Sequence, residues 1–167
     1  MRPLNLELLP AGCFLYRTET HYDDLDGQML VHHPKYLTLV ERAQQAWFEA
    51  VLEAPRFDWR NFPDMYHVVR RVEVDYLSPI DGVMPVAVVL WCQRLRAAGM
   101  TTGFALQTDD GSRLFARGAR TNCRIALEDH RPVMWTETFL ERFGEWEARA
   151  LASGIAHFGR EVEVARE

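Results

Sequence analysis

Between Pro34 and Pro55 the apolar residues Tyr36, Val40, Ala43, Trp47 and Val51 recur at steps of four, three, four and four. That spacing lines them up as one stripe of an α-helix. Pro34 suits the first helical position, where a missing N–H has no partner to lose, and Pro55 stops the helix near Ala54. The chain therefore contains one long amphipathic helix. The rest of the sequence must supply the surface that buries its stripe.

That surface reads as sheet. Residues 12–20 form a first strand, with Phe14 and Tyr16 alternating with more polar neighbours. After an irregular stretch over 56–64, packed by Phe57, Trp59 and Phe62, Tyr66 to Leu77 shows a two-residue alternation through Val72, Val74 and Tyr76. Ser78-Pro79 and Asp81-Gly82 break it. Pro85 to Arg94 is apolar on both faces and predicts a central strand. Ala97-Ala98-Gly99 turns it into Thr101–Thr108, and Asp109-Asp110-Gly111 signals a hairpin. The last strand is expected from Arg113 to Leu127. On it Phe115, Arg117, Ala119, Thr121, Cys123 and Ile125 should face one way, and Ala116, Gly118, Arg120, Asn122 and Arg124 the other. Thr136 can cap a closing helix to about Leu151, with Phe139, Phe143, Trp146 and Ala150 on one side. The tail with Glu161, Glu163 and Glu167 is expected to fray. One long helix against a run of antiparallel strands is an α+β arrangement. Open strand edges point to oligomerisation.

The 167 residues suffice for one domain, 1–167, with its own core. A net charge of -5 gives no general attraction to nucleic acid or to an anionic membrane. There is no apolar run of about eighteen residues, hence no expected transmembrane helix. Asn5 and Glu7 interrupt the block a signal peptide needs, so the expected location is cytoplasmic. Cys13, Cys92 and Cys123 are widely spaced among apolar residues and read as buried thiols.

Titratable residues crowd into one place. From His21 to His33 lie Asp23, Asp24, Asp26 and the imidazoles of His21, His32 and His33. Three uses are open. The aspartates can serve as turn and cap residues, for which Asp is suited. The imidazoles and carboxylates could hold a metal, although no tight ligand spacing is present. Or a carboxylate, Asp26, can act beside the N–H groups of the helix start, which favour a developing negative charge. Arg94, Arg96, Arg117, Arg120 and Arg124 fall on adjacent expected strands, where one or two could grip phosphates.

The run Tyr22-Asp23-Asp24-Leu25-Asp26-Gly27-Gln28-Met29-Leu30-Val31-His32-His33-Pro34-Lys35-Tyr36-Leu37 resembles the signature of hotdog-fold acyl-CoA thioesterases of the 4-hydroxybenzoyl-CoA thioesterase-like type. Glu41 matches the acidic residue that follows on the helix. Val74-Asp75-Tyr76-Leu77-Ser78-Pro79 resembles the family's second strand and its turn, and Arg131-Pro132 fits its usual close. The similarity spans a core of about 12–145, with a C-terminal helix and tail over 136–167. The chain departs from the motif at Met29, where the pattern has Gly, and at Lys35, where it has Asn.

The resemblance implies a hotdog fold, a long helix wrapped by a five-stranded antiparallel sheet. It implies acyl-CoA hydrolysis with no cofactor and no metal, and a homodimer or homotetramer with sites between chains. Asp26 would be nucleophile or general base, the His33 N–H an oxyanion donor, and Glu41 a further catalytic residue. His32, Tyr36 and Arg120 are the expected substrate-binding residues. A non-catalytic acyl-binding or interaction protein, and an acyl-thioester hydratase or dehydratase, remain as alternatives.

Overall fold

The computed structural model describes residues 2–158. In chain order it contains β1 (Cys13–Glu19), α1 (His33–Leu52), β2 (His67–Tyr76), β3 (Pro85–Leu95), β4 (Gly99–Thr108), β5 (Leu114–Arg124) and α2 (Glu137–Ala152). The strands make one antiparallel sheet in the order β1-β3-β4-β5-β2. This is the α+β, hotdog arrangement the motif implied.

Helix α1 buries its stripe on one face of that sheet. Tyr36, Val40, Ala43 and Trp47 meet Val86, Val88 and Leu90 of β3, Phe104 and Leu106 of β4, and Ala116 of β5, with Val51 at the rim. Trp47, Val88, Leu90 and Leu106 are fully buried. Each large side chain taken from water in this way contributes about 1.5–3 kcal/mol. The apolar run of β3, a central strand between β1 and β4, is explained by cover on both faces: α1 packs on one, and the N-terminal segment and the end of α2 on the other. The helix ends where Glu53 turns left-handed, with φ 56°, just before Pro55.

Helix α2 is capped by Thr136, whose Oγ1 accepts the Phe139 N–H at 3.2 Å. Its first half packs Phe139 and Phe143 onto Trp47 and Phe48. Strand β1 pairs with β3 only as far as Trp91, so the end of β3 lacks a neighbour there. The carboxylate of Glu147 fills part of that gap by accepting the Leu95 N–H at 2.7 Å. Beyond it, Ala150, Ile155 and Ala156 reach a second apolar cluster with Val89, Trp91, Ala105, Leu114 and the N-terminal Leu4. Gln107 holds Leu4 in place by bonding its N–H and C=O at 2.9 and 2.7 Å. One half of the outer sheet face is thus covered.

Two strand expectations change. Strand β4 already begins at Gly99, because Arg96 and Gly99 close the turn with a 2.8 Å backbone bond. Strand β5 ends at Arg124, three residues early, leaving Ile125 in an isolated bridge with Pro132. Its alternation also fails at one point. Leu106 pairs with Ala116 but Gln107 pairs with Leu114, so Phe115 is the extra residue of a bulge. Phe115 therefore joins Ala116 in the core under α1 instead of sharing the face of Arg117. The glutamate-rich tail lies outside the described residues. Among the described residues no helix is long and apolar enough to cross a membrane.

Candidate active site

The loop after β1 is organised by Asp24, only 3% exposed. One carboxylate oxygen accepts the His21 N–H at 2.9 Å and the other meets Lys35 Nζ at 3.2 Å. Its backbone C=O accepts the His32 N–H at 2.8 Å. Burial pushes its carboxyl up, but the His21 N–H and the Lys35 ammonium outweigh that and hold it below the usual range. Lys35 departs from the motif, and its role here is to anchor the loop to the helix start. Asp23 is exposed.

Asp26 opens a tight hairpin. Leu25 bridges Val31, the Asp26 N–H meets Leu30 O at 2.8 Å, and the Met29 N–H meets Asp26 O at 3.0 Å. Gly27, Gln28 and Met29 form the loop, and its last residue adopts φ 61°. Three-residue hairpin loops use a left-handed residue at that place, usually Gly. Met29 thus stands where the backbone favours glycine, which explains the motif's preference and puts strain at this corner. Asp26 Oδ1 accepts the N–H of Gln28 at 2.8 Å and of Leu30 at 3.3 Å. Among the described residues its Oδ2 has no hydrogen-bond partner.

Helix α1 starts beside this hairpin. His32 is its N-cap and makes no side-chain cap bond. Pro34 has no N–H, and among the described residues no acceptor takes the His33 N–H. The His33 N–H and the positive dipole end therefore meet at the helix start. The exposed rings of His32 and His33 lie 4.8 Å apart, edge to face. Tyr76 Oη donates to His33 O at 3.2 Å, and its ring stands 5.3 Å from that of Tyr36. Tyr36 is buried, and its Oη accepts the Ile80 N–H at 2.9 Å, clamping the helix to the loop after β2. Burial pushes its phenol pKa up.

Along α1 the site opens against β2. Val69, Val72 and Tyr76 pair with Asn122, Arg120 and Ala116, so they share the helix-facing side of the sheet. Yet they are 45, 37 and 45% exposed. Helix α1 does not reach them, and a shelf remains between the helix and the edge strand. Glu41 overlooks this shelf, its carboxylate 2.8 Å from the Arg120 guanidinium. Arg120 is itself buried, at 7% exposure. One turn on, Gln44 Nε2 donates to Asn122 Oδ1 at 2.9 Å. Gln44 Oε1, Thr102 Oγ1, Arg120 Nε and Asn122 Nδ2 are buried without partners among the described residues. His67 closes the far end against Phe48, its pKa lowered by burial.

The structure therefore brings His32, His33 and Tyr36 together at the helix start, and pairs Glu41 with Arg120 along the helix. The recorded partners of the Asp26 carboxylate belong to its own hairpin. Among the described residues, no three His, Cys, Asp or Glu side chains are set to hold a metal ion. Sequence reasoning missed Tyr76, Val69 and Val72 as site residues, and the Gln44–Asn122 pair. Alternation marks β2 as a strand, but only the sheet order shows that its inner face is bare.

No protein-family model matches the chain, and no curated protein matches its sequence. Solved structures do match its fold. A 1,4-dihydroxy-2-naphthoyl-CoA thioesterase from Synechocystis superposes with a TM-score of 0.70 at 15% identity, over 80% of this chain and 96% of that one. A Staphylococcus aureus protein determined in complex with CoA gives 0.71 at 13% identity, over 85% and 88%. A Pseudomonas aeruginosa protein gives 0.73 at 17%, over 88% and 97%. The fold is the hotdog fold.

Proposed function

We propose that this hotdog-fold chain hydrolyses acyl-CoA thioesters, with Asp26 as the working carboxylate. The observation that supports the reading is that, among the described residues, two groups on the hairpin and helix start have no hydrogen-bond partner: Oδ2 of Asp26 and the His33 N–H. A thioester carbonyl needs a base or nucleophile and a donor for the developing oxyanion. As general base, Asp26 takes a proton from water while the water oxygen attacks the carbonyl carbon. The His33 N–H holds the oxyanion of the tetrahedral intermediate. Collapse breaks the C–S bond, and the thiolate of coenzyme A takes the proton from Asp26. As nucleophile, Asp26 would form a mixed anhydride that water then hydrolyses.

The site is completed by a second copy. The shelf lies along the edge strand β2, whose exposed Val69, Val72 and Tyr76 border it and whose free edge is suited to antiparallel pairing with its own image. Such a homodimer, alone or paired into a tetramer, brings one chain's hairpin towards the other's α1. Glu41, fixed by Arg120, then faces the acyl thioester, with His32 and Tyr36 bordering it.

A non-catalytic acyl-binding protein is the competing reading, favoured by the service of Asp26 Oδ1 to its own hairpin. Asp26→Asn separates the two. An amide oxygen keeps both hairpin bonds, but the side chain can neither take a proton nor attack. Turnover of the best acyl-CoA should fall at least ~100-fold with oligomer size unchanged. Unaltered turnover would pass the lead to the binding reading.

A further inference from the structure

Among the described residues, the other half of the outer sheet face is left as a groove walled by arginines. Arg70 and Arg71 of β2 stand on one side and Arg94 and Arg96, at the end of β3, on the other, with Arg117 on the floor strand β5. Glu73 pairs with Arg71, and Asp75 with Arg117 at 3.0 Å. Arg70, Arg94 and Arg96 have no carboxylate partner among the described residues. Among the described residues, five arginines against two carboxylates make a positive trough in a chain whose net charge is -5. Nothing in the packing of the sheet requires it.

The register shows how the trough is built. Arg94 lies opposite Thr101, Thr101 opposite Thr121, and Thr121 opposite Arg71, so one rung reads Arg-Thr-Thr-Arg across four strands. The two threonine hydroxyls meet at 3.0 Å in its centre. Gly99 and Ala119 flank them on the floor, and among the described residues no side chain of either fills the space above. The outer strands of a four-strand rung are about 14 Å apart. Arginine side chains from both walls can therefore converge above the hydroxyls. Two hydroxyls between guanidinium forks match phosphate oxygens, which accept bidentate N–H bonds and further O–H bonds. The same groups fit a flat apolar partner poorly, and like charge opposes pairing this face with its own copy.

We infer that the groove is a binding site for a ligand bearing two or more phosphates, on the sheet face opposite the one that packs on α1. The inference is independent of the thioesterase reading. Of the five arginines that the strand pattern singled out, Arg94, Arg96 and Arg117 belong to this site. Arg120 is committed to Glu41, and Arg124 to Asp64 and the carbonyls of Pro63 and Met134. Two sources share the chemistry: the nucleotide end of coenzyme A, and a free nucleotide or polyphosphate.

Calorimetric titration of the full chain with tripolyphosphate and with coenzyme A tests this. Tripolyphosphate should bind, and the double variant Arg94→Gln/Arg96→Gln should weaken it at least tenfold with an unchanged circular dichroism spectrum. Thr121→Val, which keeps every charge, should weaken it severalfold. If coenzyme A is the source, it binds competitively with tripolyphosphate, and the double variant raises KM for acyl-CoA while kcat holds. If the source is a free nucleotide, coenzyme A does not compete and acyl-CoA kinetics are unchanged. The inference is overturned if tripolyphosphate fails to bind, or if Thr121→Val binds as the wild type does. In the latter case the affinity is diffuse electrostatics and not a site.

Discussion

Asp24→Asn offers the sharpest test of how the loop is held. The carboxylate is nearly buried and makes two charge-assisted contacts, the His21 N–H at 2.9 Å and Lys35 Nζ at 3.2 Å. Asparagine can keep the first, but its NH2 must then face the Lys35 ammonium, donor against donor. A hydrogen bond to a charged group contributes about 1.5–3 kcal/mol, and the exposure of a third of the Lys35 side chain weakens the ion pair. The expected loss is about 2 kcal/mol. Urea unfolding at pH 7 measures it, and a cycle with Lys35→Met should return a coupling of about 1 kcal/mol. The pH dependence has a definite sign. The folded state lowers this carboxyl's pKa, so its contribution is complete above the unfolded value of about 3.9 and disappears as pH falls through the folded value. The gap between wild type and Asp24→Asn should thus be constant from neutral pH to about 5 and close below about 4. A loss under about 0.5 kcal/mol at pH 7, or a gap that persists in acid, would refute the assignment. Turnover per folded molecule should change far less than in Asp26→Asn, because Asp24 anchors the loop without facing the shelf.

Three further outcomes are expected. Met29→Gly removes a left-handed strain of about 1–2 kcal/mol at a half-exposed position, in part offset by the freedom glycine gains on unfolding; it should be about 0.5–1 kcal/mol more stable by urea unfolding, and Met29→Val less stable than wild type. At Gly118 a Cβ would sit 2.0 Å from Glu73 O and 2.7 Å from the Phe104 ring, so Gly118→Ala should lose about 3 kcal/mol or more, whereas Gly144→Ala in α2, with nothing within 4 Å, should gain about 0.5–1 kcal/mol. Light scattering at micromolar concentration should give two or four times the 19.4 kDa chain mass; a stable 19.4 kDa species would count against sites shared across β2.

The sequence by itself determined the elements and their order. A helix stripe with a proline at each end, five alternating or apolar runs separated by turn residues or the helix, and a threonine cap on the last helix are local signals, set by backbone sterics and side-chain spacing. Local chemistry also marked Asp26 beside a helix start, because the hairpin and Pro34 are written in consecutive residues. What lay beyond it is non-local. The bulge at Phe115 depends on the register with β4, which no pattern within β5 contains. The partner of Arg120 is 79 positions away on α1, and that contact turns an apparent strand cation into the support of Glu41. Likewise, the Arg-Thr-Thr-Arg rung draws its residues from four strands. Alternation states which residues share a face; only the packed sheet decides whether helix α1, the N-terminal segment or nothing covers that face. The bare inner side of β2 and the arginine groove are both products of where the helices stop, and that is settled by the volume and edges of the whole sheet.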